Sequence, residues 1–497
     1  MPLIPADYPD PDVIRVGDRY YMITTTMHMF PGGDLLTSPD LVHWQLCSHV
    51  YTSPVSTPER RLENGSIYGK GMWAATLRYH RGIFHVLFVC NDTHSSVHCT
   101  AACPEGPWET HEISGFYHDC SLLFDGDTPY LAYGNREIRI TQMNKALTGP
   151  EAGGIDYIAV RDQGSDKVML GYEGSHLYKI GGRYYLFFIH WPRTAPARRT
   201  QACFTAESIT GPWRGGDILC DDHGFYNQGI AQGGIVDTPD GKWYMILFQD
   251  RFAAGRMPVL CSFEWENSFP ARVKPLDAES KLPVLFPDDP LTGNEIGICW
   301  QWNHLPDRSR FSISPGGFCL RSGCARDAEH AVNTLTMRTY SPVCACSVTL
   351  DASALCPGDR AGLIALQGCY AALFAEKTEN GCRLVMEAKT ADDKCPGTEA
   401  PADICTEDLA GPTEIRLTAL FDYRSRRDTV RFFVTSGGRF RPVGPKHALV
   451  YRLDHFMGCR AGLCCYSKEE SGPYGQAVFR DFIWIRDPEL LDILSTL

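Results

Sequence analysis

The chain has 497 residues, 44% of them hydrophobic and 21% charged, with a formal net charge of -12. That length exceeds one ordinary core and calls for at least two domains. The acidic balance, with basic groups no longer than Arg198-Arg199, excludes a polyanion-binding surface such as a nucleic-acid interface. No apolar run approaches the roughly 18 residues of a membrane helix.

The N-terminus, Met-Pro-Leu-Ile-Pro-Ala-Asp, has neither a basic n-region nor an apolar h-region, so the expected location is cytoplasmic. The 21 cysteines include no C-x-x-C pair, which fits a reducing compartment better than a disulfide framework. Cys344 and Cys346 alternate with Val348 and Leu350 and read as the buried face of a strand, not as half of a metal site.

In chain order, the first half repeats one unit: an apolar strand, a tight Gly-containing turn and an aromatic strand. The copies are Val16-Gly17-Asp18-Arg19-Tyr20-Tyr21, His80-Arg81-Gly82-Ile83-Phe84, Phe124 to Tyr130 around Gly126, Ile180-Gly181-Gly182-Arg183-Tyr184-Tyr185 and Pro239-Asp240-Gly241-Lys242-Trp243-Tyr244. Each hairpin is too small to bury its own faces, so five copies packed around an axis predict a five-bladed β-propeller over residues 1–285. The pattern stops near residue 275. Residues 282–294, with three prolines and several acids, read as a linker. Beyond it, Asn380-Gly381 marks a hairpin, and strands are expected at 415–423, 430–434 and 479–485. Regularly spaced strands of this kind predict a β-sandwich over 286–497.

Three acids stand just before blade-starting strands: Asp10 in Tyr8-Pro9-Asp10-Pro11-Asp12-Val13, Asp119 in Tyr117-His118-Asp119-Cys120-Ser121, and Glu173 in Gly171-Tyr172-Glu173-Gly174-Ser175. A Pro-Asp-Pro-Asp segment is more often a turn, and a lone Asp before a strand is more often a cap. Their shared register on different blades is what would make them converge. Asp12 competes with Asp10 for the same role.

The segments PDPDVIRVGDRYYM, MFPGGDLLTSPDLVHW, GMWAATLRYHRGIFHVLF, FYHDCSLLFD, GYEGSHLYKIGGRYYLF and GRMPVL resemble, in order, glycoside hydrolase family 43, the β-xylosidase and α-L-arabinofuranosidase family. Residues 334–339, 359–363 and 479–482 resemble the concanavalin-like jelly-roll sandwich that follows the propeller in its β-xylosidases. The resemblance implies an inverting hydrolysis. Asp10 would be the general base, Glu173 the general acid, and Asp119 the acid that orients Glu173 and raises its pKa. It further implies that Trp73 and Phe30 wall the terminal sugar and that Arg256 reaches its hydroxyls.

Where many members of that family carry a His facing a calcium ion at the propeller centre, Gln232 stands here, with His223 nearby as a substitute. The implied calcium is therefore doubtful, and no cofactor is expected to be required. The expected partner is an oligosaccharide cut at its end to release a pentose, either β-D-xylose or α-L-arabinofuranose. An endo-arabinanase, a non-catalytic carbohydrate-binding propeller and a protein scaffold are the rival readings. A homo-oligomer stays open.

Overall fold

The computed structural model describes residues 2–280, 282–390, 400–409 and 413–497. Five four-stranded antiparallel sheets form a β-propeller. Each of the five repeats is the first hairpin of a blade: Asp12–Val16 with Arg19–Thr24, Thr76–His80 with Ile83–Cys90, Ser121–Asp125 with Thr128–Tyr133, Val168–Ile180 with Arg183–Pro192, and Ile230–Asp237 with Trp243–Asp250. Their turns hold Gly17, Gly82, Gly126, Gly182 and Gly241 at positive φ, which tight hairpins require and side chains resist.

The first strands pack against one another around the axis. The axis is filled by polar groups that satisfy each other. Asp12 Oδ2 accepts from Arg78 Nη1 at 2.7 Å, from the Leu77 N–H at 2.8 Å and from Thr76 Oγ1 at 3.0 Å. Asp12 Oδ1 lies 3.2 Å from His176 Nδ1 and accepts from the Tyr178 hydroxyl at 3.4 Å. Arg78 Nη2 donates to Ser121 Oγ at 2.9 Å, so one guanidinium links three blades.

The second domain is a sandwich of an eight-stranded and a seven-stranded sheet. The Asn380-Gly381 hairpin joins Ala371–Thr378 to Gly381–Ala388, and Cys344, Cys346, Val348 and Leu350 lie buried along Val343–Asp351. The strand order makes the two domains continuous: Met29–Phe30, from the propeller's first blade region, pairs with Gln301–Asn303 and becomes the edge of the eight-stranded sheet.

The segment read as a linker is also packed. It opens with a short helix, Leu282–Leu285, and Leu285, Phe286 and Leu291 are buried in a core shared by both domains. A buried ion pair crosses the same boundary, Arg338 to Asp34 at 2.5 Å, with Gln301 and His49 completing the shell of Asp34. Among the described residues no helix is long and apolar enough to cross a membrane.

Candidate active site

A cavity of about 400 Å³ opens where the blade starts converge. Asp10, Trp73, Asp119, Glu173, Gln232 and Arg256 all line it, together with Met27, His118, Asn135, Met169, Trp191, Arg199, Phe248, Leu453 and Phe456. The backbone explains the convergence. Asp10 (φ 53), Asp119 (φ 48), Gln232 (φ 59) and Gly174 (φ 64) all sit in the left-handed region just before or within a blade's first strand. Non-glycine residues rarely hold this conformation. It interrupts the ladder at Glu173–His176 and Ala231–Gly233 and bends the chain ahead of the strand at Asp10 and Asp119, and all of these segments place a side chain in the cavity.

Asp10 is 5% exposed and accepts from Arg256 Nη1 at 2.8 Å. Arg256 is positioned from behind by Asp7, whose Oδ1 accepts the Arg256 N–H at 2.7 Å. Asp7 Oδ2 accepts the Gly458 N–H of the sandwich at 2.8 Å. One buried carboxylate thus ties the fifth blade to the second domain. Glu173 Oε2 accepts from Asn135 Nδ2 and lies 3.7 Å from His118 Nε2, which is also 3.7 Å from Asp119 Oδ2.

Burial pushes Asp119 up to about 7, helped by the negative charges of Glu173 and Asp10 and opposed by His118 and Arg256. His118 moves up to about 9, because Asp119, Glu173 and Asp10 outweigh its desolvation.

The sandwich completes the pocket through its 449–459 connection. Phe456 places its ring 4.4 Å from the Arg256 guanidinium and 6.1 Å from the ring of Trp73. The connection is pinned at several points. His455 Nε2 lies 2.8 Å from Glu329 Oε1, the Cys459 N–H donates to Ala253 O at 2.8 Å, and Gly69 leaves room for the Asp454 carbonyl, which a Cβ there would meet at 2.7 Å. Leu453, 72% exposed, stands at the rim.

One expectation is corrected, and two alternatives, Asp12 and His223, are set aside. Phe30 does not line this cavity: its strand pairing with Trp302 turns it into the boundary between the domains, and Met27 takes the place beside Trp73. Asp12 is fully buried among the five donors at the axis and is not a pocket residue. His223 does not reach the propeller centre, since it pairs with Asp277 at 3.0 Å and lines no part of the pocket.

The residues do not fit a calcium ion at the axis. The guanidinium of Arg78 already balances the axial carboxylate, and Gln232 turns its side chain against Gly174 in the pocket wall. His118, Asp119 and Glu173 are close enough to hold an ion, but they are the same groups that face the cavity.

His118, Asn135, Trp191, Arg199, Leu453, Phe456 and Asp7 were not legible as site residues. His118 was signalled only by its adjacency to Asp119. Arg199, read as part of a short basic group, packs over Trp191 and Phe248 and pairs with Asp250.

The model of glycosyl hydrolases family 43 matches residues 1–270, and that of the β-xylosidase C-terminal concanavalin A-like domain matches residues 289–484. A β-xylosidase of Formosa agariphila is 26% identical over 542 aligned residues, covering 95% of this chain and 88% of that protein. A non-reducing end α-L-arabinofuranosidase of Bacteroides ovatus is 27% identical, covering 81% of this chain and 80% of that protein. The solved structure of a bifunctional GH43-CE protein of Bacteroides eggerthii superposes with a TM-score of 0.89 at 33% identity; it takes in 98% of this chain, which spans 63% of that longer protein. A propeller with converging carboxylates, a sandwich that closes its pocket and both family matches agree that this chain is a glycoside hydrolase and belongs to glycosyl hydrolases family 43.

Proposed function

We propose that the enzyme is an inverting exo-glycosidase that removes a terminal pentose, β-D-xylose, from xylo-oligosaccharides. The observation that carries this reading is the contribution of the sandwich to the pocket: Phe456 and Leu453 line the same cavity as Asp119 and Glu173, which favours a site that receives a chain end over one that holds the middle of a polymer. In the reaction, Asp10 removes a proton from a water that attacks the anomeric carbon. Arg256 holds Asp10 by its ion pair, and Glu173, held by Asn135, protonates the leaving oxygen on the opposite face. Asp119 and His118 set the proton inventory around Glu173. Trp73 and Phe456 offer flat apolar faces to the sugar, where exclusion of water strengthens these charges. The reaction as proposed routes no step through a metal.

A second reading, α-L-arabinofuranosidase, is supported by the name of the Bacteroides ovatus relative. The deciding experiment pairs 4-nitrophenyl β-D-xylopyranoside with 4-nitrophenyl α-L-arabinofuranoside, adds xylobiose, and follows the anomer released by NMR. Release of α-xylose from the β-linked substrates supports the proposal. Preference for the furanoside selects the second reading. A retained anomer overturns inversion, and cleavage of none of the three overturns exo-pentosidase action.

A further inference from the structure

An inverting turnover leaves an imbalance that the pocket must correct. As Glu173 gives its proton to the leaving oxygen, Asp10 takes one from water, so the acid must be reloaded before the next substrate is cut. Trp73 and Phe456 line the same cavity as that carboxyl, so a bound sugar between them would separate it from bulk water.

One side chain is placed to do the reloading. His118 Nε2 lies 3.7 Å from Glu173 Oε2 and 3.7 Å from Asp119 Oδ2, in reach of both carboxylates through a small rotation of the ring. That nitrogen is buried and has no hydrogen-bond partner among the described residues. A buried polar atom left without a partner is costly and uncommon, and it calls for a functional account. The ring is held edge-on to Trp73, with centroids 5.6 Å apart, and the His118 carbonyl accepts the Gly134 N–H at 2.9 Å. The backbone is therefore anchored while the imidazole edge faces the cavity.

We propose that His118 is a proton relay that returns a proton to Glu173 between turnovers, a role that rests on Glu173 being the general acid. In the relay, the Nε2–H bond breaks as the proton passes to Glu173 Oε2. Nε2 then takes a proton from the carboxyl of Asp119, which in turn regains one from solvent. One proton moves at each transfer and no electrons do. The charged groups facing the ring suit this traffic: Asp119 from its own blade, Glu173 from the fourth, Asp10 from the first, and Arg256 from the fifth beyond Asp10. The lift of both His118 and Asp119 toward and above neutrality supplies protons over the range in which the relay works.

The test is His118→Gln beside Glu173→Gln, each checked for folding by thermal melting, on xylobiose and on the nitrophenyl glycoside that wild type cleaves. The relay predicts that His118→Gln lowers kcat on xylobiose on the order of 100-fold. It predicts little change in kcat/KM, recovery of kcat on raising the imidazole buffer concentration, and near-normal turnover of the nitrophenyl substrate, whose leaving group needs no proton. Equal losses in kcat and kcat/KM without buffer rescue, or no loss at all, overturn it. If Glu173→Gln cleaves xylobiose as fast as wild type, the general-acid reading falls and the relay falls with it. If His118→Gln does not fold, wild type decides: the relay requires a solvent deuterium isotope effect on kcat that is larger for xylobiose than for the nitrophenyl glycoside, whose turnover needs only the proton transfer from water to Asp10, and equal effects overturn it.

Discussion

Asp10 and Asp12 are two residues apart in one Pro-Asp-Pro-Asp segment, yet they belong to regions that treat a carboxylate in opposite ways. At the propeller axis, Asp12 is fully buried and ringed by donors from two other blades. Burial alone would raise it, but Arg78, His176 and the Leu77 N–H hold it well below the usual carboxylate range. In the pocket, Asp119 is nearly as buried, but its neighbours Glu173 and Asp10 are themselves acids, and burial carries it up to about 7. The axis places a carboxylate where the field stabilises its charge and so holds the blades together. The pocket places carboxylates where their charges compete, which keeps a proton available for chemistry at a cost in stability.

The comparison is sharpened most by substitutions within that segment. Asp10→Asn, which also strands the buried Arg256, and Glu173→Gln should each lower turnover of xylobiose by about 10²- to 10⁴-fold, the second with the melting temperature nearly unchanged. Asp12→Asn should do the reverse. Removing one partner of a buried ion pair leaves Arg78 uncompensated and should cost about 3–5 kcal/mol in denaturant unfolding. An Asp12→Asn enzyme of normal stability would break the distinction between axis and pocket.

Asp119→Asn should lose activity and gain stability, in a pH-dependent way. With Asp119 at about 7 in the folded state, against roughly 3.9 for an unfolded Asp, the folded protein binds the extra proton across this window. Stability therefore falls as pH rises from about 4 to 7 and stays reduced above it. The variant should melt higher than wild type at pH 8, and the difference should vanish below pH 4. Equal melting temperatures at pH 8 would contradict the frustrated-pocket account.

The smallest effect is expected at the domain boundary. Phe456→Ala removes the ring that covers Arg256 and should lower kcat/KM roughly 2- to 30-fold, the equivalent of about 0.5–2 kcal/mol for a desolvated cation–π contact. Initial rates across a range of xylobiose concentrations measure it. No change would mean that the sandwich does not help to hold the sugar.

Local pattern alone was enough for the five hairpins, because each needs only a strand period and a glycine able to take positive φ, both written in a few consecutive residues. It was enough for the sandwich hairpin at Asn380-Gly381 for the same reason. The blade register brought Asp10, Asp119 and Glu173 into one set from sequence, the family resemblance added Trp73, Gln232 and Arg256, and these six line one cavity. The resemblance favoured Asp10 over Asp12, and the tertiary structure supplied the reason: Asp12 is bound by donors at the axis while Asp10 lines the cavity. Only the tertiary structure displaced Phe30, whose pairing partner Trp302 is 272 positions away along the chain. It also brought in Phe456 and joined Asp7 to Arg256 and Gly458, because closing loops of several hundred residues leaves no trace in local composition. The proton balance among His118, Asp119 and Glu173 belongs to the structure for a related reason: it depends on burial and on charges from four blades, none of which a short stretch of sequence contains.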